Sequence, residues 1–132
     1  LPPDLPSSHV PFELRRPQLA YPRSLSGTDL CPNYRLFVAL DGDAVVGTYA
    51  LLVMHNLAHR GMPSAIAEDV VVVADRQGQG IGRLMMAHAV AEARAAGCYK
   101  LALSSNRKRV QAHAFYESLG FAQHGLSFVI EP

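Results

Sequence analysis

This chain is short of net charge, of cysteine and of long apolar runs, and each shortage removes a class of protein. Its 12 Lys and Arg against 11 Asp and Glu leave a formal charge of +1. A protein whose main task is to hold nucleic acid through its phosphates needs a larger basic excess, so no nucleic-acid partner is expected. The one basic run, Arg107-Lys108-Arg109, reads as a solvated helix start that can also meet an anion. No apolar stretch approaches the roughly 18 to 20 residues that span a bilayer, so no membrane partner is expected either. Prolines interrupt the start, and no positively charged lead precedes an apolar core, which argues against a secretory leader. Cys31 and Cys98, the two cysteines, lie far apart and match no metal spacing. They are expected to be free thiols in a reducing cytoplasm.

What the chain does have fits one domain over 1–132 with one well-filled core: 49% of residues are hydrophobic and 17% are charged. Residues 1–33 are atypical. They hold most of the nine prolines, which break helices and withhold ladder donors. Loops are predicted there, with room for one short helix, and this part reads as incomplete, with an opening strand missing or altered.

From Tyr34 the pattern sharpens. YRLFVAL reads as a strand, Asp41-Gly42 suits a hairpin turn, and AVVGTYALLVM reads as the return strand. HNLAHRGMPS is a loop. AIAEDVVVV is the next strand, and its continuous apolar end predicts burial on both faces. Gln79 to Ala96 reads as a helix, with Ile81, Leu84, Met85, Ala89, Val90 and Ala93 along one stripe and Gly97 at its C-terminal cap. CYKLALSS is a strand, Val110 to Leu119 a second helix stopped by Gly120, and FAQHGLSFVI two short strands or a hairpin. The order β-β-β-α-β-α-β-β predicts an α/β (α+β) fold, a mixed sheet covered by helices.

The stretch Asp75-Arg76-Gln77-Gly78-Gln79-Gly80-Ile81-Gly82-Arg83 places three glycines between a strand and a helix. A helix N-terminus leaves about four N–H groups unpartnered, and its dipole adds roughly half a positive charge. Together they make a phosphate site. Gly78, Gly80 and Gly82 clear side chains from the approach, and Arg76 and Arg83 flank it. The nucleotide P-loop requires Gly-Lys-Ser/Thr, and here Gly82 is followed by Arg83-Leu84. The dinucleotide fingerprint G-x-G-x-x-G requires glycine where Arg83 stands. What remains is Gln/Arg-x-x-Gly-x-Gly/Ala, met by Gln77-Gly78-Gln79-Gly80-Ile81-Gly82.

That pattern resembles the pyrophosphate loop of the GNAT family of acetyl-CoA-dependent N-acetyltransferases. The resemblance runs from about Tyr34 to Ile130. HNLAHRG, AEDVVVVADRQGQGIGRLM, GCYKLALSSN and AHAFYESLGF follow the family's successive motifs in order. Glu-Asp-Val-Val-Val, Gly-Cys-Tyr-Lys and Phe-Tyr-Glu-x-x-Gly-Phe are most similar to glucosamine-6-phosphate N-acetyltransferases and their bacterial relatives. The N-terminal region and the longer connection LSSNRKRVQAHAFY depart from that subgroup.

The resemblance implies the acyl-CoA N-acyltransferase fold, a mostly antiparallel mixed sheet with splayed central strands. It implies acetyl-CoA as cosubstrate, with the diphosphate on the N–H groups of Gln77, Gly78, Gln79, Gly80, Ile81 and Gly82 and Arg83 alongside. The pantetheine would lie between the strands and pair with the backbone of Val70, Val71 and Val72, one N–H of which polarises the thioester. Asn106 matches the family's CoA-contacting asparagine, and Phe115 packs in the core or against CoA. Tyr116 matches the tyrosine that protonates the leaving thiolate. Glu68 stands as base or substrate anchor. Strand alternation sends Glu68 and Asp69 to opposite faces, so Asp69 is the other candidate to meet the acceptor. His55 and Asn56 belong to the loop lining the acceptor pocket, His113 either contacts CoA or is exposed, and His124 is surface. His55 and His59 are spaced i, i+4 but lack the glutamate of H-E-x-x-H, so no metal is expected.

The implied reaction moves acetyl from acetyl-CoA to a small-molecule primary amine, with an aminosugar phosphate among the acceptors. A non-catalytic acyl-CoA-binding or sensing module, or an enzyme acting on protein or peptide amines, stays open beside it. Family members often pair through edge strands, which implies a homodimer.

Overall fold

The alternating residues on either side of Asp41-Gly42-Asp43 fold as the expected hairpin. In the computed structural model, which describes residues 12–16 and 33–132, Tyr34–Asp41 (β2) pairs antiparallel with Ala44–Met54 (β3), and Gly42 turns the corner with φ +57°. Glu13–Arg15 (β1) adds to the outer side of β2, with Leu14 opposite Ala39. The proline-rich start was expected to hold loops and a short helix, so β1 is a correction: ELR lies between prolines, where three residues suffice for an edge strand. Residues 1–11 and 17–32 lie outside the described residues.

The sheet order is β1-β2-β3-β4-β5. Ser64–Val72 (β4) is antiparallel to β3, and Leu101–Ala102 (β5) is parallel to β4. A parallel neighbour needs a crossover, and Ile81–Ala95 (α1) lies in it. Helix α1 packs on β3 and β4 through Ile81, Met85, Met86, Ala89 and Ala93, all buried. Phe37, Val46, Tyr49, Leu51, Ala65 and Ala67 complete this core. Burying each large apolar side chain contributes about 1.5–3 kcal/mol. Gly47 sets how near the helix comes: a Cβ there would sit 3.0 Å from Met85 Sδ and 3.2 Å from both Ile81 Cγ2 and the Val71 carbonyl oxygen. Helix α1 starts after Gly80, slightly later than the predicted Gln79. It ends as expected, with Gly97 at φ +77°, its N–H on the Arg94 carbonyl and the Cys98 N–H on the Ala93 carbonyl.

The predicted strand Cys98 to Ser105 shortens to two residues. Cys98 is held by the helix-terminating turn and Tyr99 N–H donates to the Pro63 carbonyl, so pairing with β4 starts only at Leu101. Cys98 is a free thiol, and Cys31 lies outside the described residues. No helix among the described residues is long and apolar enough to cross a membrane.

Two compact units divide these residues, one ending at Leu103 and the other comprising Ser104–Pro132. The second unit holds Val110–Ser118 (α2), with Leu119 buried after it. Phe121 to Ile130 was predicted as strands and forms none, and Leu126, Phe128, Val129 and Ile130 are exposed. A strand needs a ladder partner, and α2 is the sole regular element among this unit's described residues.

Candidate functional site

The turn from β4 to α1 leaves backbone bare. After one 3₁₀ turn over Ala74–Arg76, the chain runs exposed through Gln77, Gly78, Gln79 and Gly80. Gly78 and Gly80 have φ of +79° and +85°, and a Cβ on either would meet nothing within 4 Å. These glycines provide a left-handed backbone and open space above it rather than close packing within the chain. Gly80 caps α1 without a side-chain hydrogen bond, and the first turn has no acidic residue. Its N–H groups and the positive end of the dipole therefore have no anionic side chain of the turn to answer them. Arg83 is half-buried in that turn. The other flanking arginine is already engaged: Arg76 Nη1 lies 2.6 Å from Asp41 Oδ2 and ties the turn to the β2–β3 hairpin.

Strand β4 leads into this turn with one edge open. It pairs with β5 only at Ala65–Leu101 and Ile66–Ala102. Further along, Val73 N–H donates to the Val46 carbonyl at 2.9 Å, across β3. Backbone groups alternate sides along a strand, so Val71 also turns its N–H and C=O to β3. Val72 presents its own to the edge that faces away from β3. The Val72 carbonyl accepts the Gln77 side-chain amide there at 3.3 Å. Of the three valines expected to offer backbone to a cofactor arm, Val71 is turned to β3, Val72 has its carbonyl engaged by Gln77, and Val70 lies where the ladder register breaks.

A bulge interrupts the same strand. Ala50 faces Glu68 and Thr48 faces Val71, so Asp69 and Val70 together oppose Tyr49. Asp69 absorbs the extra residue with φ +53°, a conformation Asp tolerates better than most residues. The two-residue period on which the separation of Glu68 from Asp69 rests breaks at Asp69–Val70, and Glu68 and Asp69 are both exposed. The expected burial of the valine run on both faces is corrected. Val71 is 55% and Val73 42% exposed, because this half of β4 runs past the end of β5.

At the other end of β4, His55 is exposed. Asn56 braces its loop: Nδ2 donates to Ser64 Oγ at 3.0 Å and to the Met54 and Met62 carbonyls at 3.4 Å. His59 and Arg60 hold φ of +52° and +58°, and the His59 ring stacks on Tyr99 with centroids 3.9 Å apart.

The second unit positions Tyr116, His113, Phe115 and Asn106. Asn106 folds the turn before α2, its Oδ1 accepting the Lys108 N–H at 2.9 Å and its carbonyl lying 2.8 Å from His113 Nε2. Gly120, at φ +95°, ends α2 so that Phe121 N–H reaches the Tyr116 carbonyl at 3.1 Å. That closure folds Phe121 back, and its ring meets Tyr116 edge-on at 5.8 Å. The Phe115 ring lies 5.3 Å from that of Tyr116. Tyr116 is 9% exposed, and its hydroxyl makes no hydrogen bond among the described residues. Burial pushes its pKa up, with the Arg109 charge opposing.

Sequence reasoning missed His88 and Tyr49. The Tyr49 hydroxyl lies 2.6 Å from His88 Nδ1, beneath α1. The available signal was a histidine set three residues after Met85, on the stripe that faces the core.

A helix end without a side-chain cap thus stands behind bare glycines and follows a bulged, half-open strand. Residues 32–123 match an acetyltransferase (GNAT) domain, and the chain belongs to that family. The aminoalkylphosphonate N-acetyltransferase of Salmonella typhimurium is 38% identical over 99 residues, covering 75% of this chain and 64% of the relative. The glucosamine 6-phosphate N-acetyltransferase of Trypanosoma brucei brucei is 34% identical over 80 residues, covering 61% and 52%. A solved Agrobacterium tumefaciens protein, provisionally assigned as an acetyltransferase, superposes with a TM-score of 0.73 at 40% identity, covering 76% of this chain and 70% of its own. The chain thus spans between half and two thirds of the length of these two curated relatives.

Proposed function

We propose that this protein transfers the acetyl group of acetyl-CoA to the primary amine of a small molecule. The observation that carries the reading is continuity: a helix end without a side-chain cap, behind open glycines, follows a strand edge that has no partner strand among the described residues. A diphosphate suits the first and an amide-bearing arm suits the second, and coenzyme A carries the two in series. Membership of the GNAT family supports the same assignment.

In this reading the backbone of Gln77 to Gly82, with Arg83, holds the diphosphate. Val70 and Val72 pair with the pantetheine amides, and an N–H of this stretch polarises the thioester carbonyl. Asn106, His113 and Phe115 are the proposed further cofactor contacts. The amine nitrogen bonds to the acetyl carbon and the carbon–sulfur bond breaks. Glu68, directly or through a water, takes the proton the amine loses, and Tyr116 gives its phenolic proton to the departing sulfur. The raised pKa of Tyr116 keeps that proton in place at neutral pH. His55, Asn56 and Asp69 are proposed acceptor contacts. The relatives named for an aminoalkylphosphonate and for glucosamine 6-phosphate support a small amine as acceptor, with aminosugar phosphates included.

The test is thermal melting with and without acetyl-CoA, followed by thiol release across a panel of aminosugar phosphates, aminoalkylphosphonates, aminoglycosides and peptides. A melting rise with acetyl-CoA and thiol release with a small amine are expected. Binding without release on any amine would instead make this an acyl-CoA-binding module, and release on peptides alone would move the acceptor to protein amines.

A further inference from the structure

A polar chain leads outward from the core of the first unit to half-buried His88, Glu92 and Arg35, and the proposed reaction uses none of it. Tyr49 on β3 is fully buried, and its hydroxyl meets His88 Nδ1 on α1 at 2.6 Å. His88 Nε2 lies 3.8 Å from Glu92 Oε1, one turn on. Arg35 on β2 donates from Nη1 to Glu92 Oε2 at 3.2 Å. Phe37 lines the chain, its ring 5.2 Å from that of Tyr49 and 4.7 Å from that of His88. A sealed tyrosine O–H needs an acceptor, and His88 Nδ1 is its partner among the described residues. His88 is therefore neutral, with its proton on Nε2, towards Glu92.

The chain connects two parts of the proposed cofactor site. Tyr49 stands opposite the Asp69–Val70 bulge on the β3–β4 ladder. His88 sits on the same helix as the diphosphate cradle, about two turns from Ile81. Apolar packing holds α1 on the sheet but is non-directional, whereas a hydrogen bond fixes distance and angle. We propose that the Tyr49–His88 hydrogen bond, with the Arg35–Glu92 bond one turn on, is a positioning device: it sets α1, and so its proposed phosphate-binding end, in register with the bulged strand, and protonation of His88 loosens that grip. The ligand in this inference rests on the acetyl-CoA reading; the coupling of helix to strand does not.

A protonated His88 would donate from both nitrogens. The Tyr49 oxygen would accept one, leaving its own proton without an acceptor in the core. Burial accordingly lowers the His88 pKa, against the opposing Glu92 charge, and Glu92 is itself engaged by Arg35.

The experiment is calorimetric titration with dephospho-CoA, whose diphosphate keeps a constant charge, at about pH 8 and about pH 5.5 to bracket histidine titration. Tyr49→Phe deletes the hydroxyl and keeps the stack on Phe37. His88→Asn keeps an uncharged acceptor near the Nδ1 position. The wild type should bind about fivefold more weakly at the lower pH. Tyr49→Phe should bind about fivefold more weakly at the higher one, the low end of site-to-site coupling. His88→Asn should approach wild-type affinity at high pH and lose the pH response.

Amide hydrogen exchange on the ligand-free protein supplies a second readout: Tyr49→Phe should speed exchange at Leu84 to His88 and not at Ala91 to Ala95. Wild-type affinity, pH response and exchange in both variants would overturn the proposal. If His88→Asn does not fold, Tyr49→Phe decides. If the wild type does not bind dephospho-CoA, the acetyl-CoA reading falls. The exchange pattern then decides the coupling alone, with local acceleration supporting it and unchanged or uniform exchange overturning it.

Discussion

At Ala65 and Ile66, β4 is paired with β3 on one side and β5 on the other, and Ser64, Ala65 and Ala67 are buried. From Glu68 to Val72 the same strand is paired with β3 alone, carries the Asp69–Val70 bulge and exposes Glu68, Asp69 and Val71. The first half puts the small side chains of Ser64, Ala65 and Ala67 under tight packing. The second uses β-branched side chains, which favour an extended backbone without needing close neighbours. One nine-residue strand thus divides in two: the closed half packs in the core, and the open half has one edge without a partner strand and its two acids exposed.

The sharpest test of that division is to strike each half and read both activity and stability. Under the proposed mechanism Glu68→Gln should lower kcat by about 10²–10⁴-fold, the usual worth of a positioned acid or base, with the melting temperature unchanged. Tyr116→Phe should cost kcat a similar factor. Burial raises the Tyr116 pKa above its ordinary value of 10.0, so the alkaline fall in wild-type kcat should lie above pH 10.0 and be missing in the Phe variant. A large melting change in Glu68→Gln would break the comparison.

Ala67→Leu strikes the closed half. Forcing extra methylenes beside buried Ala65 should cost about 1–3 kcal/mol in urea unfolding, while kcat per folded molecule stays near wild type. Gly80→Ala probes the junction beyond the open half. With φ at +85° the added Cβ should cost about 1–2 kcal/mol, and the KM for acetyl-CoA should rise as the first turn of α1 shifts.

The smallest expected effect is on stability against pH. His88 has its folded pKa lowered below the ordinary value of 6.5, with burial as the leading cause. Its contribution is therefore complete above pH 6.5 and lost as the pH falls below that value towards the folded pKa. Urea midpoints measured across that range should decline in the wild type and decline less in His88→Asn. A decline confined to higher pH would contradict the burial argument.

Much of this architecture was legible because its signals are local. Asp41-Gly42 announces a hairpin, and Gly97 and Gly120 end helices through the φ values and back-folded hydrogen bonds that such positions require. Ile81, Met85 and Ala89 mark one face of a helix by spacing alone. The glycine-rich turn needs only a strand before it and a helix after it. The misreadings concern partners distant in the chain. The four valines suggested a strand covered on both faces, but whether β5 runs alongside is decided where Cys98 and Tyr99 are tied. Arg76 looked like an anion contact until Asp41, far off in sequence, took it. Phe121 to Ile130 has strand composition, yet composition supplies no ladder partner.

By itself, then, the order of residues determined the hairpin, the two helices and their caps, and the exposed backbone of the phosphate-type turn, because each depends on torsional preference and side-chain periodicity within a few residues. Only the tertiary structure decided the bulge at Asp69, the open edge of β4, the close approach over Gly47 and the pairing of Tyr49 with His88. Those features depend on which segments meet across the sheet, where one extra residue or one missing neighbour reverses what a side chain or an amide faces.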